Sequence, residues 1–161
     1  MLKAECVNAT MRRQDRVMEE ERAEEILRTA EWGTLALVEE DGAPYAVPVN
    51  FAWDGADAIY IHGAKEGHKL ECLRRDPRAC FNVAANCVLK PGKFTESFDS
   101  VTIRGHAQEA DDEERLEALR GFIRKYSPDF MERGMTYTEK AARKTSIIRL
   151  SIESWSAKHH P

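Results

Sequence analysis

The chain has 161 residues, of which 42% are apolar and 32% charged, and its formal net charge at pH 7 is −4. These proportions are typical of a globular protein with one buried core, and the acidic balance gives no general case for nucleic-acid binding. The sequence contains no apolar run that approaches the roughly 18 residues of a membrane span, and no signal-peptide core. We therefore expect a single cytoplasmic domain over 17–158, with an N-terminal arm over 1–16 and a tail over 159–161.

The first predicted elements are a helix and a β-hairpin. Apolar residues recur at helical spacing among charged residues over 17–30, which predicts an amphipathic helix. A strand over 34–38 follows, and Asp41-Gly42 before the next apolar run is a strong hairpin signal. The returning strand is long and covers 43–53.

Two prolines, Pro44 and Pro48, interrupt this returning strand. Proline has no N–H to donate to a neighbouring strand, so the strand should be an edge, be bulged, or leave one side of its backbone free. Backbone groups left free in this way can face a ligand.

The next segment carries the densest group of candidate binding residues. A strand over 58–62 leads through small residues into a short helix that ends at Asp76-Pro77. The start of this helix is rich in basic residues and glycine: His62, Gly63, Lys65, Gly67, His68 and Lys69. Backbone N–H groups at a helix start, reinforced by lysine side chains, form a site for a dianionic phosphate. The segment therefore predicts a phosphorylated ligand or cofactor.

Three further strands and a helix complete the predicted fold. The helix begins at Asp111, which is spaced from Glu114 as in a capping box. The segment over 87–95 is predicted to be a loop, and the three strands cover 78–85, 98–107 and 146–152. Six strands with mainly short antiparallel connections indicate a small β-barrel rather than a doubly wound sheet. Neither common glycine fingerprint of nucleotide-binding proteins is present, and no metal-ligand set is predicted.

Several short motifs occur in a recognisable order: Ala46-Val47-Pro48-Val49-Asn50, Ile59-Tyr60-Ile61-His62, Gly67-His68-Lys69-Leu70 and Asp76-Pro77. This order resembles the FMN-binding split-barrel superfamily typified by pyridoxamine 5′-phosphate oxidase. The segment from Tyr60 to Pro77, with Ser100-Val101-x-Ile103-x-Gly105-x-Ala107, is similar to the nitroimidazole-resistance branch. The resemblance extends over 18–158 and implies a mainly β fold, a six-stranded antiparallel split β-barrel with flanking helices.

The resemblance also implies a cofactor and the residues that bind it. It implies a homodimer with two non-covalently bound FMN molecules in clefts between the subunits. The strand that would contact the isoalloxazine ring contains Val47, Pro48, Val49 and Asn50. The phosphate would lie near His62-Gly63, with Lys69 as its main ligand and His68 and Lys65 as helpers. Looser matches beside the flavin, partly from the second subunit, are Ser100 and Trp155.

The implied activity is that of an FMN-dependent oxidoreductase, similar to a flavin reductase or nitroreductase, which takes electrons from a donor and reduces a small molecule. His62 is the candidate proton donor. Oxidation of pyridoxamine phosphate itself is not expected, because the sequence ends at Pro161 without the Arg-containing segment that the oxidase directs towards its substrate. Two alternatives remain open: an FMN-binding electron carrier or redox sensor without turnover, and a split barrel that binds another ligand such as haem.

Overall fold

One eight-stranded sheet forms the body of the protein in the computed structural model, which describes residues 1–161. The long strands are β2 (Gly33–Val38), β3 (Pro44–Val49), β5 (Ala58–Ala64), β6 (Arg78–Lys90), β7 (Thr95–Glu109) and β8 (Thr145–His160). Two strands have only two residues each, β1 (Glu5–Cys6) and β4 (Ala52–Trp53). The α-helices are α1 (Glu20–Thr29), α2 (His68–Arg75), α3 (Asp112–Tyr126) and α4 (Met131–Ala141). None of the helices is both long enough and apolar enough to cross a membrane.

The strand order is β3-β2-β6-β7-β8-β5-β4, and β1 pairs with β8 outside this path. Every pair on the path for which a register is defined is antiparallel, whereas β1 runs parallel to β8. The two ends of the path, β3 and β4, are separated in the chain only by Asn50 and Phe51, so the sheet curls into a barrel that stays open. The predicted split barrel is confirmed. Its six predicted strands correspond to the six long ones, except that the single strand expected over 43–53 is divided into β3 and β4. The two-residue strand β1 was not predicted, because so short a strand leaves no periodicity to detect.

β3 is an edge strand, which is compatible with its two prolines. Its ladder with β2 is continuous from Gly33–Val49 to Val38–Pro44. Pro44 and Pro48 occupy positions of the same parity, so their missing N–H groups fall on the free side of the strand, where no neighbour needs them. Of the three arrangements that the prolines allowed, the edge strand is the one observed.

The side chain of Tyr126 takes the place of a strand partner where β3 gives way to β4. The N–H of Phe51 donates to the Tyr126 hydroxyl at 3.1 Å. The same hydroxyl lies 2.9 Å from the Phe51 carbonyl oxygen and 2.8 Å from that of Glu31, so it can donate to either one. The Phe51 N–H is thus satisfied by a side chain at the end of α3, and the Phe51 carbonyl shares the one hydroxyl proton with the Glu31 carbonyl.

Two apolar clusters stabilise the fold. The larger one fills the barrel and includes the fully buried Phe51, Phe81, Ile103 and Leu150. The smaller one lies beneath α3, with Ala118, Leu119 and Phe122 packed against Ala52 and Ile147. Burial of each large side chain contributes about 1.5–3 kcal/mol. The second cluster holds α3 over the outer side of β5, next to the predicted phosphate motif.

The β6–β7 hairpin is longer than predicted. The segment over 87–95 was expected to be a loop, but β6 and β7 stay paired up to Lys90 and Thr95, with a register shift between Ala85 and Val88. The turn signal Pro91-Gly92 therefore marks only the tip. The prediction failed because the flanking residues gain their hydrogen bonds from each other, which residue type alone does not reveal.

Both ends of the chain lie against the barrel. Leu2 is 6% exposed, and the Met1 ammonium lies 2.8 Å from Glu24. At the other end, β8 continues through His159 and His160, which pair with Asp99 and Phe98 of β7.

Candidate functional site

The turn between β5 and α2 encloses a small cavity at the predicted phosphate motif. This β5–α2 cavity has a volume of about 80 Å³, enough for water or a small anion. Its walls are formed by Gly63, Ala64, Glu66, Gly67, Lys69, Leu70, Ser146 and Ile148. Two of the predicted binding residues, Gly63 and Lys69, therefore meet around one space with Gly67 of the same motif.

Gly67 sets the direction in which α2 begins. Its φ of 135° and ψ of 168° lie in a region that only glycine adopts readily. Its carbonyl accepts hydrogen bonds from the N–H groups of Leu70 at 2.9 Å and Glu71 at 3.2 Å. The N–H groups of the first helical residues, His68 and Lys69, have no acceptor within the helix. These donors are available at the end of α2 that adjoins the cavity.

The Lys69 side chain passes over Gly63. A Cβ atom placed on Gly63 would lie 4.0 Å from Lys69 Cε, an ordinary contact distance, so the lysine side chain is the nearest neighbour of this glycine. Lys69 takes part in none of the ion pairs of the protein. Its ammonium group is therefore free to pair with an anion in the cavity.

His62 lies next to this cation, on the outer side of β5. Its ring contacts Phe122 edge-on, with the centroids 4.7 Å apart. Partial burial and, secondly, the charge of Lys69 lower the pKa of His62 below its usual value of 6.5. The imidazole is thus mostly neutral at pH 7, and the form that can give up a proton is populated at lower pH.

The structure does not bring His68 and Lys65 into the cavity wall. The His68 ring packs edge-on against Tyr45 at 4.7 Å, and its Nε2 lies 3.4 Å from Glu39. Consecutive residues on a helix point about 100° apart, so His68 faces the β2–β3 hairpin while Lys69 faces Gly63. Lys65 is exposed on the turn before the helix.

The four predicted residues in and just after β3 point alternately towards the barrel core and away from it. Val49 is buried and Val47 packs against the barrel core. Pro48 is exposed, and the Asn50 side chain donates to the Glu31 carbonyl at 2.9 Å. Along the free side of β3, unpaired backbone groups remain available to a ligand, among them the Pro48 carbonyl.

Ser100 and Trp155 lie on the central strands. Ser100 of β7 is partly exposed between Ala84 and Lys158. Trp155 is only 2% exposed within the barrel core, and its indole N–H has no acceptor. Neither residue borders the β5–α2 cavity.

No sequence pattern pointed to Ser146 or Phe122. Ser146 lies directly opposite Gly63 in the β5–β8 ladder and adds a hydroxyl to the cavity wall. Phe122 reaches His62 because α3 packs over β5. Both contacts depend on the pairing of segments more than 50 residues apart, and no local motif encodes that pairing.

The fold occurs in several proteins of known structure. A candidate 5-nitroimidazole antibiotic resistance protein from Bacteroides thetaiotaomicron VPI-5482 is 26% identical, with a TM-score of 0.76 over 89% of this chain and 86% of that one. An FAD and heme binding protein from Mycobacterium smegmatis is also 26% identical, with a TM-score of 0.76 over 89% and 72% of the two chains. A conserved hypothetical protein from Mycobacterium tuberculosis shares the fold at 22% identity, with a TM-score of 0.79 over 94% and 91%.

Among curated proteins, none matches this chain in sequence. Residues 19–159 match the model of the pyridoxamine 5′-phosphate oxidase family, which confirms the resemblance drawn from the short motifs: the chain belongs to this family of split-barrel proteins.

Proposed function

We propose that the protein is a cytoplasmic, FMN-dependent oxidoreductase that reduces a small molecule, in the manner of a flavin reductase or nitroreductase. The observation that carries this proposal is the arrangement of Lys69, Gly63 and the start of α2 around the β5–α2 cavity. When bound, FMN supplies the redox chemistry, accepting electrons from a donor and passing them to the substrate. The protein binds and orients the cofactor.

The cavity has the donors that a phosphate dianion needs. Lys69 offers an unpaired ammonium group, the first turn of α2 offers backbone N–H groups, and Ser146 offers a hydroxyl. Glu66 also borders the cavity and opposes an anion there.

The free side of β3 is suited to the edge of a flat polar ring. Its backbone groups have no strand partner, and its prolines reduce the number of competing donors. Hydride transfer needs no acid or base from the protein. Where the substrate also takes up a proton, His62 is the candidate donor, and its lowered pKa then requires the rate to fall as the pH rises through a value below 6.5.

The proposed assembly is a homodimer with an FMN at each end of the interface. The free side of β3 has no partner strand within one chain, so a second subunit would cover that side of a ligand. The β6–β7 hairpin carries the exposed apolar side chains Val88, Leu89 and Phe94, which suit contact with a second subunit. The related structure named for FAD and heme binding supports a flavin, and the one named for nitroimidazole resistance is the reason to test a nitro compound as acceptor.

The test begins with the visible spectrum of the freshly purified protein, followed by titration with FMN, FAD and haem and by light scattering. We expect one FMN per subunit of a dimer, and oxidation of NAD(P)H when a nitroaromatic acceptor is added. A protein that takes up no flavin would contradict the proposal. Haem binding alone would favour the ligand-binding alternative, and bound FMN without turnover on any acceptor would favour an electron carrier or redox sensor.

A further inference from the structure

A second, larger cavity lies between α1, β4 and α3. Its volume of about 730 Å³ is within the range of small-molecule sites. The walls come from Leu27-Arg28 of α1, Ala52-Trp53 of β4, and the side of α3 that contains Gly121 and Lys125. This α1–α3 cleft shares no residue with the β5–α2 cavity.

Lys125 is a cation without a counter-ion in the wall of this cleft. Its Nζ lies 3.5 Å from the centroid of the Phe51 ring and donates to the Leu27 carbonyl at 3.2 Å. It forms none of the ion pairs of the protein. Burial lowers the pKa of Lys125 to about 8, so the amine is still mostly charged at pH 7. Because an unpaired, partly buried charge is costly, an anionic ligand would be favoured here.

The carboxylates of the cleft do not neutralise Lys125, because nearly all of them are engaged elsewhere. Glu117 pairs with Arg124 at 2.7 Å and with Arg120 at 3.5 Å. Glu114 accepts from the Tyr60 hydroxyl at 2.8 Å and pairs with Arg149 at 2.9 Å.

The other acidic residues of the cleft lie at turns or at the far end of α3. Asp111 caps α3 by accepting from the Glu114 N–H at 2.9 Å, and Asp54 accepts from two backbone N–H groups of the β4–β5 turn. Glu113 has no such partner, but it is exposed at the start of the helix. At 1.5 Å per residue it lies about 18 Å along the axis from Lys125. The end of the cleft near Lys125 is therefore the end that attracts an anion.

The surroundings of Lys125 also indicate the rest of the ligand. Leu27, Ala52 and Trp53 give an apolar wall. The Arg28 guanidinium, which pairs with Glu24 at 2.8 Å, lies 4.9 Å from the centroid of the Trp53 ring. The indole N–H of Trp53 is buried without an acceptor. Donors and an aromatic surface therefore predominate at this end of the cleft.

We propose that the α1–α3 cleft binds a small organic carboxylate, with its charged end on Lys125 and its apolar body between Leu27, Ala52 and Trp53. This site is separate from the proposed flavin site and does not depend on it.

The proposal is tested with benzoate as the probe and benzamide as its neutral counterpart, followed by tryptophan fluorescence and ligand-observed NMR. We expect the unmodified protein to bind benzoate at least tenfold more tightly than benzamide. Lys125→Met should abolish that preference, whereas Lys140→Met, which changes an exposed lysine of α4, should retain it. Equal binding of the two probes by the unmodified protein, or an unchanged preference in Lys125→Met, would overturn the proposal.

A second variant keeps the test decisive if Lys125→Met does not fold. Gly121→Leu projects a side chain into the cleft and leaves the charge of Lys125 in place. We expect it to lose benzoate binding while FMN binding is unchanged. Benzoate binding that survives in Gly121→Leu would place the probe elsewhere and count against the cleft, whatever the result for FMN.

Discussion

Lys69 and Lys125 are both lysines without a carboxylate partner, each in the wall of a cavity, but the chain positions them by different means. Lys69 is placed by its own neighbours, since the end of β5, Gly67 and the start of α2 all fall within seven residues of it. Lys125 is placed by packing, since its carbonyl partner Leu27 is 98 residues away. A site built from consecutive residues can be predicted from a motif, whereas a site built between helices can be found only in the folded chain.

The largest difference between the two lysines should be in flavin binding. We expect Lys69→Met to weaken FMN binding by about 10–100-fold, because a charge-assisted hydrogen bond to a phosphate contributes about 1.5–3 kcal/mol. Lys125→Met should leave the FMN dissociation constant unchanged. Titration of FMN fluorescence measures both, and a similar loss in the two variants would mean that the cavities are not independent.

Two glycines should respond oppositely to alanine. Gly67→Ala should destabilise the protein by about 1–3 kcal/mol, because the backbone at position 67 is strained for any other residue. Gly121→Ala should stabilise α3 by about 0.5–1 kcal/mol, because the added Cβ would lie 3.9 Å from Ala52, an ordinary contact distance. Urea midpoints of both variants provide the measurement, and effects of the same sign would contradict this view of the two regions.

Lys125→Met should raise the free energy of unfolding by about 1 kcal/mol at pH 7, because the variant no longer buries an unpaired charge. The pKa of Lys125 is lowered from 10.5 to about 8 in the folded protein. The unfolded chain therefore keeps this proton to higher pH than the folded protein does. As a result, the cost of burying Lys125 decreases, and the free energy of unfolding of the unmodified protein increases, as the pH rises from about 8 to 10.5. The advantage of the variant should shrink over that window.

Urea unfolding of both proteins at pH 7 and at about pH 9.5 measures this change. Lys69→Met serves as the matched control, and we expect no comparable gain from it at pH 7. A Lys125→Met protein that is less stable than the unmodified one at both pH values would show that the contact with Phe51 outweighs the cost of the charge.

The smallest expected effect concerns His62. Because the charge of Lys69 contributes to the lowered pKa of His62, Lys69→Met should raise that pKa by a fraction of a pH unit. Binding of inorganic phosphate beside Lys69 should act in the same direction. An NMR titration of the imidazole detects both changes, with Lys125→Met as the variant in which the pKa should stay the same.

Much of the fold follows from local patterns in the sequence. Asp41-Gly42 lies at the turn of a hairpin, and the prolines lie in an edge strand. The spacing of Asp111 and Glu114 marks a capped helix start. These signals succeed because the physical constraint acts within a few residues. The extension of the β6–β7 hairpin was not predicted, because its pairing is a property of two strands together.

The candidate site divides in the same way. Gly63 and Lys69 were expected together, and the structure places them together. His68 was grouped with Lys69 because the two are adjacent, but helix geometry turns it towards Tyr45. Ser146 and the α1–α3 cleft had no sequence signal, since both arise where distant segments meet.

The bond between Tyr126 and Phe51 has a consequence for how the protein avoids aggregation. An exposed edge strand is a template on which other chains can add a strand. Here Pro44 and Pro48 remove two donors from the free side of β3. Just beyond it, the Tyr126 hydroxyl accepts from the Phe51 N–H and lies within hydrogen-bond distance of the Phe51 carbonyl oxygen. A strand of another chain therefore meets no continuous row of backbone donors and acceptors along β3. A small ligand needs only a few such groups and can bind those that remain. The same edge is thus accessible to a small ligand and protected from uncontrolled strand addition.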